Sequence, residues 1–350
     1  MAKSHRIAVI AGDGIGIEVI DATKRILEAY SAKSQAYKLV IHEFPWGTAY
    51  YKKYGRYMPE DGIAQLQKFD AILFGAVGAP DVPDYLSLWE LLLVMRMSLQ
   101  LYANVRPVNN LFSKSPLRTP VPFDWLFVRE NSEGEYAGHG GHSHVGRDYE
   151  VATDTTITTR EGTRRIMRFA FEQAAARPRK HITVVTKSNA VRNGLVLWDE
   201  VATEIAAEFP HVAWNKMLVD AMTVRMVNNP DSIDTVVGTN LHIDILSDLA
   251  AALAGSIGMA SSSNLDPTRQ NPSLFEPVHG SAFDITGMGI ANPIGAVASA
   301  CDMLSWLGET GASAAILSAV QKSVRDGVVT KDMGGSANTL EVAKGIIERL

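Results

Sequence analysis

The stretch Ile7-Ala-Val-Ile-Ala-Gly-Asp-Gly-Ile-Gly-Ile17 decides between two kinds of α/β protein. Its apolar run predicts a buried strand over Ile7–Ala11, and its glycines a tight turn over Gly12–Gly16. A helix over Glu18–Tyr30 should follow, because Val19, Ile20, Ala22, Thr23, Ile26, Leu27 and Tyr30 keep a 3.6-residue period. A dinucleotide-binding fold opens the same way, but its fingerprint G-x-G-x-x-G would need glycine at position 17. Ile17 stands there, so the turn reads as structural.

Working outward, strand-like and helical runs alternate, the mark of a mostly parallel α/β sheet. Strands are expected at Ala71–Phe74, Trp125–Arg129, His181–Val185 and Asp234–Gly238. Helices are expected at Leu86–Tyr102, Thr163–Ala176, Leu195–Phe209, about Asp244–Ala254, Ala296–Leu307 and Ala312–Val324. Ser261–Asp266 and Asn271–Pro293 read as long loops, and the Gly- and His-rich Gly134–Arg147 as an exposed one. No low-complexity linker separates the parts, which suggests domains interleaved in sequence. Composition narrows the function. The chain has 350 residues, enough for two domains, and 46% apolar content to fill them. With 33 Lys plus Arg against 38 Asp plus Glu, the net charge of −5 gives no footprint for nucleic acid. The run Ile7–Ile10 meets Asp13 too early for a signal peptide, and no segment has the length of a membrane span. The lone Cys301 forms no internal disulfide, so a cytoplasmic protein is expected.

Two groups of residues could carry chemistry. Asp244 and Asp248 are four residues apart, which on a helix puts both carboxylates on one face. Their repulsion needs a compensating charge, and a hard divalent cation would supply it; the alternative is a solvated acidic face. Arg96, Arg106 and Arg129 are the second group. Converging guanidiniums would grip one or two carboxylates, although singly each reads as a surface or structural residue. Lys187 follows a strand and Tyr136 lies in Glu130-Asn-Ser-Glu-Gly-Glu-Tyr136, and neither supports a role by itself. In His279-Gly-Ser-Ala282 small residues would let the backbone approach a nucleotide, and Asp284 could accept bonds from a ribose diol. An ordinary Gly/Ser loop is the competing reading. His139, His142 and His144 lack the Cys or second cluster that a zinc site needs.

Taken together, these pieces resemble the isocitrate/isopropylmalate dehydrogenases, metal-dependent β-decarboxylating enzymes acting on 2-hydroxy acids. The likeness is carried by Gly12-Asp-Gly-Ile-Gly16, Gly75-Ala-Val-Gly78, Arg129-Glu-Asn-Ser-Glu-Gly-Glu-Tyr136, Thr186-Lys-Ser-Asn189 and Val219-Asp-Ala221. Asp244 with Asp248, Glu276-Pro-Val-His-Gly-Ser-Ala282 and Asp332-Met-Gly-Gly335 complete it. Gly75-Ala-Val-Gly-Ala-Pro-Asp-Val-Pro-Asp84 and Ser87-Leu-Trp89 bring it nearest to the branch that oxidises tartrate and D-malate. The stretch Asn109–Pro122 departs from the family in lacking a basic residue soon after Arg106-Pro107.

The resemblance implies an α/β two-domain fold that differs from the Rossmann fold and has a central mixed sheet. Residues 1–102 and 256–350 would form an NAD-binding domain, and 103–255 a substrate, metal and dimerisation domain with an arm near 136–159. It implies NAD-dependent oxidation, with decarboxylation, of tartrate or D-malate. The alternatives are 3-isopropylmalate or a related diacid, and a non-catalytic regulatory subunit of the same fold. It assigns Asp220, Asp244 and Asp248 to Mn²⁺ or Mg²⁺, and Arg96, Arg106 and Arg129 to the substrate. Tyr136 would be the acid and Lys187 the base, with Lys187 and Asp220 coming from the neighbour in a homodimer. His279, Gly280, Ser281, Ala282, Asp284 and Asn292 would hold NAD, where Asp284 would repel the extra phosphate of NADP. K⁺ is common among such enzymes, and no residue here reveals it.

Overall fold

The structure, a computed structural model, describes residues 3–35, 37–110, 115–117 and 121–350. Met1 and Ala2 of the amino end, and part of the stretch Asn109–Pro122, lie outside the described residues. The chain divides into two compact units: Met1–Leu101 with Asn109–Pro120 and Ala251–Leu350, and Tyr102–Val108 with Val121–Ala250. The first unit is thus built from both chain ends.

In the first unit the strands lie in the order Tyr37–Glu43, Lys3–Gly12, Ala71–Ala76, Ser273–Pro277, Ser261–Leu265. The first four run parallel, with Ile7 opposite both Ile41 and Ala71, and Phe275 opposite Leu73. Ser261–Leu265 runs antiparallel beside Ser273–Pro277, which makes the sheet mixed. A strand from near residue 275 beside Ala71–Ala76 is foreign to the Rossmann strand order. The helix Ile15–Ser34 buries Val19, Ile20, Ala22, Thr23, Ile26 and Leu27, the stripe its period predicts, and packs on the sheet.

The opening turn is held by close backbone approach. Gly12 has φ +73°, and a Cβ there would lie 1.8 Å from the Ala76 carbonyl oxygen. Asp13, 7% exposed, accepts bonds from Thr48 N (2.8 Å), Thr48 Oγ1 (2.7 Å) and Gly78 N (2.9 Å). One carboxylate therefore ties the first turn to two other loops. The turn is structural, as its sequence suggests.

In the second unit the order is Ala103–Asn109, Asp124–Glu130, Thr235–Gly238, His181–Thr186, Ala213–Leu218. Thr235–Gly238 pairs parallel with both its neighbours, and His181–Thr186 with Ala213–Leu218. The helix Arg160–Ala176 packs on the helix Gly194–Glu208 through ion pairs of Arg160, Arg164 and Arg168 with Glu200, Glu204 and Glu208.

Several expectations need correcting. Ser261–Leu265 and Ser273–Pro277 are buried strands rather than loop. Gly138–Ser143 is exposed as expected, but Gly134–Ser143 is a strand, paired antiparallel with Val151–Ile157. The helix expected from Leu86 starts at Asp84, passes through a π-helical turn at Leu88–Leu92 and ends at Ser98. The helix carrying Asp244 begins at Asn240, one turn early. Among the described residues no helix is long and apolar enough to cross a membrane.

Asp302, on the helix Ile294–Trp306, offers a stability test. Burial pushes its carboxyl up from 3.8 to about 6 against bonds from Ser261 and Ser263, and one of its oxygens, Oδ2, is buried without a partner. A raised carboxyl favours folding in its protonated form. Its contribution is whole below pH 3.8 and is lost as pH rises through about 6. Asp302→Asn should therefore gain stability over the parent as pH climbs from 4 to 7, reaching about 1–3 kcal/mol in urea denaturation. A stability difference that does not change over that range would show that the carboxyl is not strained.

Candidate active site

The strand register builds the site in the second unit. Gly238 lies opposite Arg129, and two residues later the chain enters the helix Asn240–Ala254. Asn240 and Asp244, one helical turn apart, thereby come to rest against the Arg129 guanidinium. Arg129 is 2% exposed; its Nε donates to Asn240 Oδ1 (2.9 Å) and its Nη1 to Asp244 Oδ1. Arg106, 6% exposed, donates from Nε to Asn104 Oδ1 (3.0 Å) and from Nη1 to Ser247 Oγ (2.7 Å). It also pairs with Asp244 at 3.4 Å and Asp248 at 3.7 Å. The hydroxyl of Tyr136 donates to the other oxygen of Asp244 at 3.1 Å, and the Arg129 guanidinium lies over its ring.

The two carboxylates do share one helix face. Burial raises the Asp248 carboxyl and Asp244 adds to it, while Arg106 opposes. Burial likewise raises the Tyr136 phenol, reinforced by Asp244, so the ring carries a proton available to donate. Two hard carboxylate oxygens a turn apart suit Mg²⁺ or Mn²⁺, which bind through one or two carboxylates and complete their shell with water and substrate. Among the described residues no three His, Cys, Asp or Glu side chains assemble as a metal set. Asp220 sits instead with Lys187, Nζ to Oδ1 at 2.6 Å, where the strand His181–Thr186 ends and the helix Val219–Asn228 begins. That bond holds the Asp220 carboxyl below its usual range.

Arg96 lies in the first unit. It is 5% exposed and bonds Glu276 at 2.9 Å, a carboxylate that also accepts from Asn264 (2.8 Å). Of the three arginines the structure thus brings Arg106 and Arg129 together on Asp244. In the same unit, Ser281 accepts from Ile15 N at 2.8 Å, and a Cβ on Gly14 would lie 2.0 Å from the Ser281 carbonyl oxygen. The loop His279–Ala282 therefore rests on the glycine turn. Nε2 of His279 is buried without a partner, Gly280 faces open space, and Ala282 holds φ +39°. Asp284 is exposed, and Asn292 donates to Asp332 at 2.9 Å. An orphaned imidazole nitrogen beside open backbone fits a nucleotide contact.

Asn104, Ser247 and Asn240 were not singled out by the sequence, and Glu276 and Asp332 were quoted in motifs without a role. Each holds a residue that was singled out. Ser247 and Asn240 could have been found by their places on the Asp244 helix, three residues after Asp244 and four before it; Asn104 by its place two residues before Arg106.

A family model for isocitrate/isopropylmalate dehydrogenase matches residues 6–346. The chain belongs to the isocitrate/isopropylmalate dehydrogenase family. It is 56% identical over 347 residues to a probable tartrate dehydrogenase/decarboxylase of Agrobacterium vitis, covering 98% of this chain and 97% of that one. It is 44% identical over 357 residues to the decarboxylating D-malate dehydrogenase of Escherichia coli, covering 99% and 98%. Isocitrate dehydrogenase from Methylococcus capsulatus superposes with TM-score 0.90 at 34% identity, covering 99% of each chain. A β-decarboxylating dehydrogenase from Thermococcus kodakarensis gives 0.79 at 39%, covering 99% and 96%. The protein is thus a decarboxylating dehydrogenase with the expected α/β fold.

Removing Asp244 would take the nearest counter-charge from two buried arginines. Asp244→Ala should cost about 2–4 kcal/mol in urea denaturation of the metal-free protein, less than a fully buried pair because Asp244 is 34% exposed. Asp248→Ala, farther from Arg106 and 56% exposed, should cost under about 1 kcal/mol. Equal losses would refute the central place of Asp244.

Proposed function

We propose that this enzyme oxidises a small 2-hydroxy diacid of the tartrate or D-malate type with NAD⁺ and Mn²⁺ or Mg²⁺, and decarboxylates malate. The observation that carries the reading is one carboxylate, Asp244, held by two buried guanidiniums and a protonated phenol. Guanidiniums that grip a carboxylate in the protein can grip one in a substrate, and the names of the relatives supply the class of diacid.

In this reading Arg106 and Arg129 turn from Asp244 to the substrate carboxylates. Asp244 and Asp248, released by the arginines, hold the metal. When bound, the divalent ion supplies Lewis acidity at the substrate's hydroxyl and carboxylate oxygens, and NAD⁺ the hydride acceptor. Lys187 Nζ takes the proton of the C2 hydroxyl, and Tyr136 returns a proton to C3 once CO₂ has left. Asp220, 65% exposed, and Lys187 serve the site of a second copy, adding the third carboxylate to the metal. The exposed hairpin Gly134–Ser143 with Val151–Ile157 is the arm that joins the two copies.

In the first unit, His279, Gly280, Ser281, Ala282, Asp284 and Asn292 line the NAD site. K⁺ is an activator to be tested, and the cytoplasm is the working compartment of a chain whose one cysteine is free.

The test is an NADH absorbance assay with D-malate, tartrate, isocitrate and 3-isopropylmalate, with Mn²⁺ and with or without K⁺. Tartrate or D-malate should lead in kcat/KM by at least about tenfold, roughly 1.4 kcal/mol of discrimination, and EDTA should abolish turnover. Preference for 3-isopropylmalate would overturn the substrate assignment.

The proton carriers separate by step. Lys187→Ala should slow NADH formation by about 10²–10⁴-fold. Tyr136→Phe should slow the formation of pyruvate from D-malate by a similar factor while reducing oxaloacetate formation little. Matching losses in both partial reactions for both variants would contradict the division.

A further inference from the structure

We infer that Asn240 is a positioning residue for substrate recognition, acting through Arg129 and through the turn that leads to Tyr136. The inference rests on the proposed role of Arg129 in binding the diacid. Asn240 is 1% exposed and uses both ends of its amide. Oδ1 accepts from Arg129 Nε at 2.9 Å, and Nδ2 donates to the Glu133 carbonyl at 3.0 Å. A guanidinium can only donate and a carbonyl can only accept, so the partners fix which way the amide faces.

The choice of nitrogen matters. Arg129 spends Nε on Asn240 and Nη1 on Asp244, acceptors one turn apart on the same helix. When a substrate carboxylate takes the place of Asp244, the Nε bond stays. The guanidinium then keeps its plane and direction through the exchange, which is how a bidentate grip is prepared in advance. Without Asn240, Arg129 would have to be ordered by the ligand itself.

The other end of the amide reaches the turn between Arg129 and Tyr136. The Glu130 carboxylate clasps this turn by accepting from Ser132 N (3.1 Å), Ser132 Oγ (2.6 Å) and Glu133 N (2.7 Å). Gly134 has φ +82°, and a Cβ there would lie 3.2 Å from the Asn240 Cβ, so the turn is packed directly on Asn240. Asn240 thus registers two functional side chains against one helix, Arg129 directly and Tyr136 through the Glu133 carbonyl three residues before it.

The test is a double-mutant cycle in the full-length enzyme with D-malate and tartrate. Asn240→Ala should raise KM for the diacid about tenfold while KM for NAD⁺ stays within about twofold, because the lost bond is to a charged group in the substrate half. Arg129→Lys removes Nε, so adding Asn240→Ala to it should raise KM by less than about twofold more. If the two factors multiply in full, Asn240 acts independently of Arg129 and the inference falls. If Arg129→Lys leaves the diacid KM unchanged, the substrate role of Arg129 fails and the inference falls with it. Should Asn240→Ala not fold, Asn240→Ser runs the same cycle.

Discussion

The carboxylate of Asp244 is what the second unit is arranged around. Arg129 and Arg106 are 2% and 6% exposed, and a buried guanidinium without a counter-charge is among the costliest groups a core can hold. Both find that charge at a single oxygen of Asp244, and Tyr136 takes the other. The strand Asp124–Glu130, the hairpin that starts at Gly134 and the helix Asn240–Ala254 are all tied to that one group. The Gly238 register beside Arg129 brings the helix start to the correct place, and a Cβ on Gly238 would press within 2.9 Å of Ile243.

The first unit uses the same device at a smaller scale. Asp13 gathers three donors from two loops and fixes the glycine turn. That turn then gives Ile15 N to Ser281, which seats the loop proposed to meet NAD. A side chain that chemistry never touches thereby sets the path of one that it would. Arg96 repeats the pattern, held by Glu276, itself held by Asn264.

Periodicity made the helices and long strands legible because their apolar stripes are the cores themselves, as in Ile15–Ser34. It failed where burial does not come from apolar side chains. Ser261–Leu265 is rich in serine yet wholly buried, because it lies beside Ser273–Pro277 and its hydroxyls find internal partners such as Asp302. Gly134–Ser143 has no β-branched residue and is a strand only because Val151–Ile157 pairs with it. The charged members of the site were legible through their spacing and their place in recognisable motifs. Asn104, Asn240 and Ser247 carry no charge and no motif, and their importance lies in which arginine nitrogen they meet, something only the folded chain displays.

That distinction between nitrogens also explains how one cluster can be both stable and open to exchange. The bonds from Arg129 Nε to Asn240, and from Arg106 to Asn104 and Ser247, go to neutral acceptors that no anionic ligand needs to displace. The contacts to Asp244 and Asp248 are ionic, partly exposed, and replaceable by any carboxylate that presents the same oxygens. Neutral bonds therefore fix where each guanidinium stands, while ionic ones decide what it holds. A site built only from ion pairs would lose its geometry whenever a partner left. One built with uncharged anchors keeps its geometry and changes only its occupant.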